Sequence, residues 1–349
     1  MKRNIIIGAA ILILGAIYIF QETHAPRKTT NAGYHRLISE EFKPAKVSGI
    51  QFFQAGKEGK GVRVERDNGN SDSWLVATKF NAPAKKSAID SLLNNVKTLE
   101  GEERASDSKL FPEFGLEEEK GFHLLLSGEA GNELVHLIVG KKAGTYSFGF
   151  IRFHDKDTVY IADKDFRYDF GIFTDNDDQE PDQSKWLDMN ILSLNKDEVE
   201  SVSIIGKGKE ILIKKKEEEK KEGEDTKEKE AKPHKKRADW ILTEGRKKER
   251  TIPHDSIDSF LSSIASISAL EVVDPSKLSE YGLDNPIEHL VVTAKGNKYS
   301  LSLGGQGKGE DKKYYVKKEG KTTLYEISTY TKESTFDKIR EIAGGKKEG

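Results

Sequence analysis

The 349-residue chain contains no cysteine. That absence excludes disulfides, thiolate zinc sites, iron–sulfur clusters, a cysteine nucleophile and a lipidated amino-terminal cysteine. It fits an oxidising or a reducing compartment equally well. The chain also lacks an excess of either charge. Its 57 Lys and Arg meet 59 Asp and Glu, for a formal net charge of −2, so no global field recruits nucleic acid. No Gly-x-Ser-x-Gly elbow and no His-Glu-x-x-His pair occurs, and the scatter of Ser, His and Asp carries no information about a triad. The residues therefore predict a chain that is not an enzyme, with no catalytic, cofactor-binding or metal-ligating group. Hydrophobic residues make up 35% and charged residues 33%, which is polar for a folded protein without being a disordered composition. The length admits two ordinary domains.

Lys2 and Arg3 precede an uncharged run at residues 4–20, rich in Ile, Leu, Ala and Gly. A spanning helix needs about 20 apolar residues and a signal-peptide core about 7–15, so the run falls between the two. Thr23-His24-Ala25 has the small-residue spacing of a cleavage site, but Pro26 would follow the cut, where it fits the protease poorly. The reading favoured over a cleaved signal is an uncleaved anchor, with residues 1–22 forming a cytoplasmic tip and one transmembrane helix in the inner membrane. The basic pair places the amino terminus in the cytoplasm and everything after Phe20 outside it.

The remainder repeats itself. Val47-Ser48-Gly49-Ile50-Gln51-Phe52 matches Val199-Glu200-Ser201-Val202-Ser203-Ile204, and Ser73-Trp74-Leu75-Val76 matches Asp239-Trp240-Ile241-Leu242. Ile89-Asp90-Ser91-Leu92-Leu93 matches Ile257-Asp258-Ser259-Phe260-Leu261, and Phe114-Gly115-Leu116 matches Tyr281-Gly282-Leu283. His123, Leu137 and Thr158 open further blocks that correspond to those at His289, Leu301 and Thr323. The blocks keep their order, and the offset drifts mainly in loops, from 152 between Val47 and Val199 to 166 between Trp74 and Trp240. Each copy reads as short alternating strands, a helix (residues 85–99 and 254–269), a Gly-Leu turn, an antiparallel meander and a short closing helix. The predicted class is α+β, two tandem repeats of a mainly antiparallel sheet plus helix. The first repeat covers residues 34–172 and the second 185–343, with an acidic linker at 173–184. Residues 214–237, with 11 basic and 8 acidic side chains, form a charged insertion between two strands of the second repeat. A solvated surface loop is favoured there over a lipid- or nucleic-acid-binding patch.

The run Leu278-Ser279-Glu280-Tyr281-Gly282-Leu283-Asp284-Asn285-Pro286, followed by a strand and then Leu303-Gly304 and Tyr315-Val316, resembles a bacterial family known as domain of unknown function 4340. The first copy carries the shorter Phe114-Gly115-Leu116 and lacks the proline. The resemblance spans most of residues 34–342. It implies an envelope protein often encoded beside an ABC-type transporter of the gliding-motility kind. It carries over no site residue.

Several constellations suggest chemistry and are better explained otherwise. The acidic run 175–182 places Glu180 and Trp186 where a calcium loop needs Gly and Glu, so it reads as linker. Gly304-Gly305-Gln306-Gly307-Lys308-Gly309 lacks the following Ser or Thr of a phosphate loop and reads as a hairpin. His123 and His289 occupy equivalent strand starts, with His136 on a neighbouring strand. Because His136 has no counterpart in the second copy, the pair reads as a duplicated surface position and not as metal ligands. Trp74 and Trp240 read as core anchors before a sugar-stacking platform. The functional expectation is an envelope binding or scaffold protein, accessory to an ABC-type transporter, held to the membrane through residues 4–20. It meets a protein partner, with no cofactor and no nucleic acid. Glycan or peptide binding is the alternative, and a cell-envelope hydrolase comes after that.

Overall fold

The computed structural model describes residues 33–144, 147–174, 179–216, 238–307 and 312–344. The expected anchor at residues 4–20 lies outside the described residues, as do 175–178 of the acidic run and 217–237 of the charged insertion. Among the described residues no helix is long and apolar enough to cross a membrane.

The architecture is α+β, two large antiparallel sheets with a few helices. The first sheet comprises β1 (His35–Arg36), β2 (Val47–Gln54), β3 (Val62–Asp67), β4 (Asn70–Val76), β5 (Ala82–Pro83), β6 (Glu100–Ala105), β7 (Phe122–Gly128), β8 (Glu133–Lys142), β9 (Gly149–Phe153) and β10 (Val159–Ala162). Its spatial order is β1-β6-β10-β9-β8-β7-β2-β3-β4-β5. After β11 (Asn190–Ser193), the second sheet uses β12 (Val199–Gly206), β13 (Lys209–Lys215), β14 (Trp240–Glu244) and β15 (Arg250–Ile252). Past β16 (Ser266–Ser268) it is completed by β17 (Glu271–Val273), β18 (Glu288–Ala294), β19 (Asn297–Gln306), β20 (Lys313–Lys318) and β21 (Leu324–Ser328). Its order, β15-β14-β13-β12-β18-β19-β20-β21-β17, follows the first sheet strand for strand, apart from the extra edge strand β1.

Alternation decides which face is buried. In β2, Ile50 and Phe52 turn inward, and the register shift between Val47 and Gly49 lets Val47 do so too. β12 repeats this with Val199, Val202 and Ile204 and a shift between Val199 and Ser201. Helix α1 (Lys86–Lys97) buries Ile89, Leu92, Leu93 and Val96 in the same core, the spacing of one helical face.

The sequence expectation of a second helix over 254–269 needs shortening. A 3-10 turn at His254–Ser256 is followed by a helix over Asp258–Ala265, and Ile267 then lies in β16, paired with β11. Ile267 is the buried middle of an exposed-buried-exposed triplet, a strand alternation that overrides the helical spacing of its neighbours. β6 and β17 also escaped the sequence reading. β6 is Glu-Gly-Glu-Glu-Arg-Ala and buries only Gly101, the charged pattern of strands near a sheet margin.

The sheets share one continuous hydrophobic core. Residues 183–194 carry it across. Trp186 stacks on Phe170 at 4.6 Å, Leu187 bridges to Ala84, and the Leu194 N–H donates to the Ala265 carbonyl at 2.7 Å. The described part of the acidic segment packs on the first sheet, with Glu180 paired to Lys60 at 2.6 Å and Gln183 donating to the Gly61 carbonyl at 2.9 Å. The charged insertion joins neighbouring strands, and the Lys216 N–H donates to the Asp239 carbonyl at its base.

Candidate functional site

The face of the first sheet turned away from the main core carries its own small cluster of Leu116, Ile138 and Val159, covered by residues 105–116. Beside it four polar side chains meet, three from strands and one, His154, from the turn after β9. Register places His123 across from Ile138 and Ile138 across from Arg152, so the two polar residues share a face. His136 and His154 join them because the His154 N–H donates to the His136 carbonyl at 3.1 Å. His123 Nδ1 lies 3.0 Å from His136 Nε2, and the His136 ring stacks on His154 at 4.2 Å. Phe53 stacks on His123 at 5.0 Å and shields it.

Carboxylates close the cluster. Glu118 takes Arg152 Nη2 at 2.5 Å on one oxygen and His154 Nε2 at 2.9 Å on the other. Its backbone carbonyl faces His123 Nε2 at 2.9 Å, and Glu133 faces His136 Nδ1 at 3.2 Å. Burial raises the Glu118 pKa, but the Arg152 hydrogen bond and the His154 charge outweigh it and hold the carboxyl below its ordinary range. Burial, then the His154 charge, pushes His136 below the usual imidazole value. Among the described residues no three His, Asp or Glu side chains stand around one point at metal distance. His123 and His136 present two adjacent donors, with Glu118 and His154 next to them.

The second sheet places His289, Ser300, Lys317 and Glu319 at the corresponding register positions. There His289 Nδ1 meets Ser302 Oγ at 3.1 Å. His123 and His289, matched in the sequence, take matching register positions, but His123 is 5% exposed and so is not the surface position expected of it. The sequence reading missed His154, Glu118, Glu133 and Arg152. The register of the β8–β9 hairpin was the signal that could have joined His154 to His136.

A second feature lies where the described chain begins. Leu37, Phe42, Leu134, Val135 and Phe153 form the apolar part of a cavity of about 430 Å³, and Lys43, Lys46 and Lys156 stand around it with Glu41. Trp74 and Trp240 are not part of any open surface. They are 5% and 1% exposed, and the Trp240 indole N–H donates to His254 Nδ1 at 3.2 Å.

The Gly-Leu turns have matching geometry. Gly115 and Gly282 adopt φ of +67° and +64°, a left-handed conformation open to glycine. Each turn drives its leucine, Leu116 or Leu283, into the outer face of its sheet. The preceding carbonyl, of Phe114 or Tyr281, rests where a β-carbon on Gly140 or Gly304 would stand. The aromatic rings pack on equivalent strand partners, Phe114 on Phe150 at 4.6 Å and Tyr281 on Tyr315 at 4.2 Å. A family model described as "Domain of unknown function (DUF4340)" matches residues 74–244 and again 240–343. The chain belongs to the DUF4340 family. No curated protein and no solved structure matches it.

In this DUF4340 chain the Gly-Leu turn is a docking device. The aromatic ring, the left-handed glycine and the leucine seat one crossing segment on a strand whose own glycine leaves room for it. Apart from the Tyr281 phenol, whose pKa burial raises, these groups offer no acid, base or nucleophile. The glycines at 304–307 likewise serve the sheet. Gly304 and Gly305 lie within β19, and the Gly307 N–H donates to the Lys313 carbonyl at 2.8 Å.

Proposed function

We propose that this chain is a duplicated, membrane-anchored binding and scaffold protein of the cell envelope, accessory to an ABC-type transporter. Duplication is supported by the parallel strand orders of the two sheets and by the two matches of one family model. Anchoring is supported by the uncharged run 4–20 behind Lys2 and Arg3. The observation that carries the binding reading is the cavity of about 430 Å³, with an apolar wall and three lysines against one glutamate. Cavities of this size and lining hold a compact ligand or the end of a chain. The lysines select for negative charge, so the occupant in this reading is an acidic, partly apolar segment of a partner protein.

Affinity purification of the full-length chain in mild detergent, beside a variant with Lys43→Glu, Lys46→Glu and Lys156→Glu, tests this. Transporter subunits should accompany the unaltered chain and be lost from the variant. If the unaltered chain emerges alone while binding a defined glycan or peptide, the scaffold reading fails and the ligand-binding alternative replaces it. Hydrolysis of cell-wall substrate that survives purification and vanishes on one substitution would make the protein a hydrolase. A carboxyl-terminal reporter active only in the cytosol would overturn the location.

A further inference from the structure

The lysine-rimmed cavity and the histidine cluster share two stretches of backbone. Val135 and Phe153 line the cavity, and the residue that follows each is a histidine of the cluster, His136 and His154. That cluster, when neutral, is one proton short. His123 Nε2 faces the backbone carbonyl of Glu118 at 2.9 Å. A carbonyl only accepts, so this nitrogen carries the hydrogen, and Nδ1 of a neutral His123 is an acceptor. A neutral His136 has one hydrogen for two places. Set on Nε2, it is donated to His123 Nδ1 across 3.0 Å, and the bare Nδ1 then faces the Glu133 carboxylate at 3.2 Å. Set on Nδ1, it satisfies Glu133, and two lone pairs face each other instead. One added proton fills both places and leaves His136 a cation.

We propose that the cluster of His123, His136 and His154 is a pH-sensitive regulator of the neighbouring cavity. In mild acid it takes up a proton at His136, and the added positive charge tightens the cavity's hold on an acidic ligand. This rests on the reading of the cavity as a site for an acidic, partly apolar segment. The groups that face the three rings are Glu133 on β8, Glu118 on the crossing segment, Arg152 on β9, Glu58 near His123, and the Phe53 ring on β2. Arg152 and His154 already hold the two Glu118 oxygens. These neighbouring charges are the same before and after uptake, so the local net charge rises by one. The Glu133 contact favours the proton, but burial and the stacked His154 oppose it more strongly. Uptake therefore falls below the ordinary imidazole value of about 6.5. A new charge on the order of 10 Å from a ligand carboxylate changes affinity by about two- to fifteenfold, for effective dielectric constants from about 80 down to 20. Salt reduces the effect. The second sheet has no such device, because Ser300 and Glu319 stand in place of His136 and His154.

The test is calorimetric titration of the full-length chain, in non-ionic detergent at low ionic strength, with the acetylated peptide Asp-Glu-Leu-Phe-Glu-Leu from about pH 7.5 to about pH 5. Affinity should rise about two- to tenfold toward the acid end. The peptide's own carboxylates, with pKa values of about 3.9–4.3, lose charge in acid and would weaken binding, so they cannot produce a rise. His136→Gln should flatten the profile, and His289→Gln should leave it intact. Lys43→Glu with Lys46→Glu and Lys156→Glu should weaken binding at every pH. Circular dichroism at both ends of the range separates lost binding from unfolding. In a second measurement that needs no substitution, saturating peptide should raise the midpoint of the His136 imidazole titration, followed by NMR, by about 0.3–1. That is the logarithm of the same fold-change, read from the other side. Flat binding in the unaltered chain, a rise that survives His136→Gln, or a His136 midpoint that the peptide leaves in place would overturn the regulator while the cavity reading stands. Failure to bind at every pH would overturn both.

Discussion

The carbonyl of Tyr281 occupies the place a side chain on Gly304 would need, and the Gly305 N–H beside it donates to that carbonyl at 2.7 Å. Phe114 and Gly140 repeat the arrangement on the other sheet. A backbone group can approach a strand this closely only where the strand has no β-carbon.

Replacing Gly304 or Gly140 with alanine should therefore push the Gly-Leu turn off its sheet. The expected cost is about 1–3 kcal/mol, the usual range for overpacking a fitted contact. Gly59, with nothing within 4 Å of an added β-carbon, is the comparison and should tolerate alanine. Urea unfolding of the three variants checks this. Equal midpoints for Gly304→Ala and Gly59→Ala would remove the docking account.

Trp186 and Trp240 are each 1% exposed. Cutting either to alanine should cost about 3–5 kcal/mol, the range for deleting a buried large aromatic. For Trp186 the loss should reach both sheets, because this ring stacks on Phe170 within the segment that joins them. Hydrogen exchange resolved by peptide reads the spread. Protection lost from the second sheet alone would contradict the shared core.

Asp169 supplies a pH prediction. Burial raises its pKa above the ordinary 3.8, with the Asn95 hydrogen bond pulling the other way. The native carboxyl holds its proton more tightly than the unfolded one, so this residue removes stability as pH rises through 3.8 toward its native value. Asp169→Asn should raise the melting temperature at about pH 7, and the gain should disappear in more acidic buffer. Melting curves across that range decide it. An unchanged melting temperature at neutral pH would mean that the carboxylate is solvated or better paired than its contacts indicate.

Lys79 reaches Glu271 on the other sheet at 3.1 Å, with the glutamate half-exposed. Such pairs contribute about 0–1 kcal/mol. Lys79→Ala should therefore leave the unfolding midpoint nearly unchanged, and the sheets should stay together through their common core. A large loss in unfolding experiments would assign the ion pair a role that its exposure argues against.

Much of this was legible in the residues. The alternation at residues 47–52 and 199–204 marked the central strands, and the helix expected over 85–99 is found at Lys86–Lys97. Charged β6 and three-residue β17 were hidden because marginal strands need no apolar alternation. Of the histidine cluster, the sequence showed only His123 and His136 on neighbouring strands. Glu118 comes from a crossing segment and Arg152 and His154 from the next hairpin, and their convergence depends on strand register.

What the chain determines alone is local and periodic. Apolar positions at spacings of two or of three and four, a left-handed glycine before leucine, and recurrence of the whole pattern follow from backbone geometry and from what must leave water. What required the tertiary structure is every relationship across strands. The facing of His123 and His136, the seating of the Tyr281 carbonyl on Gly304 and the fusion of two sheets through Trp186 depend on which residues the hydrogen-bond ladders bring opposite one another. Residues far apart along the backbone become neighbours only once those ladders close.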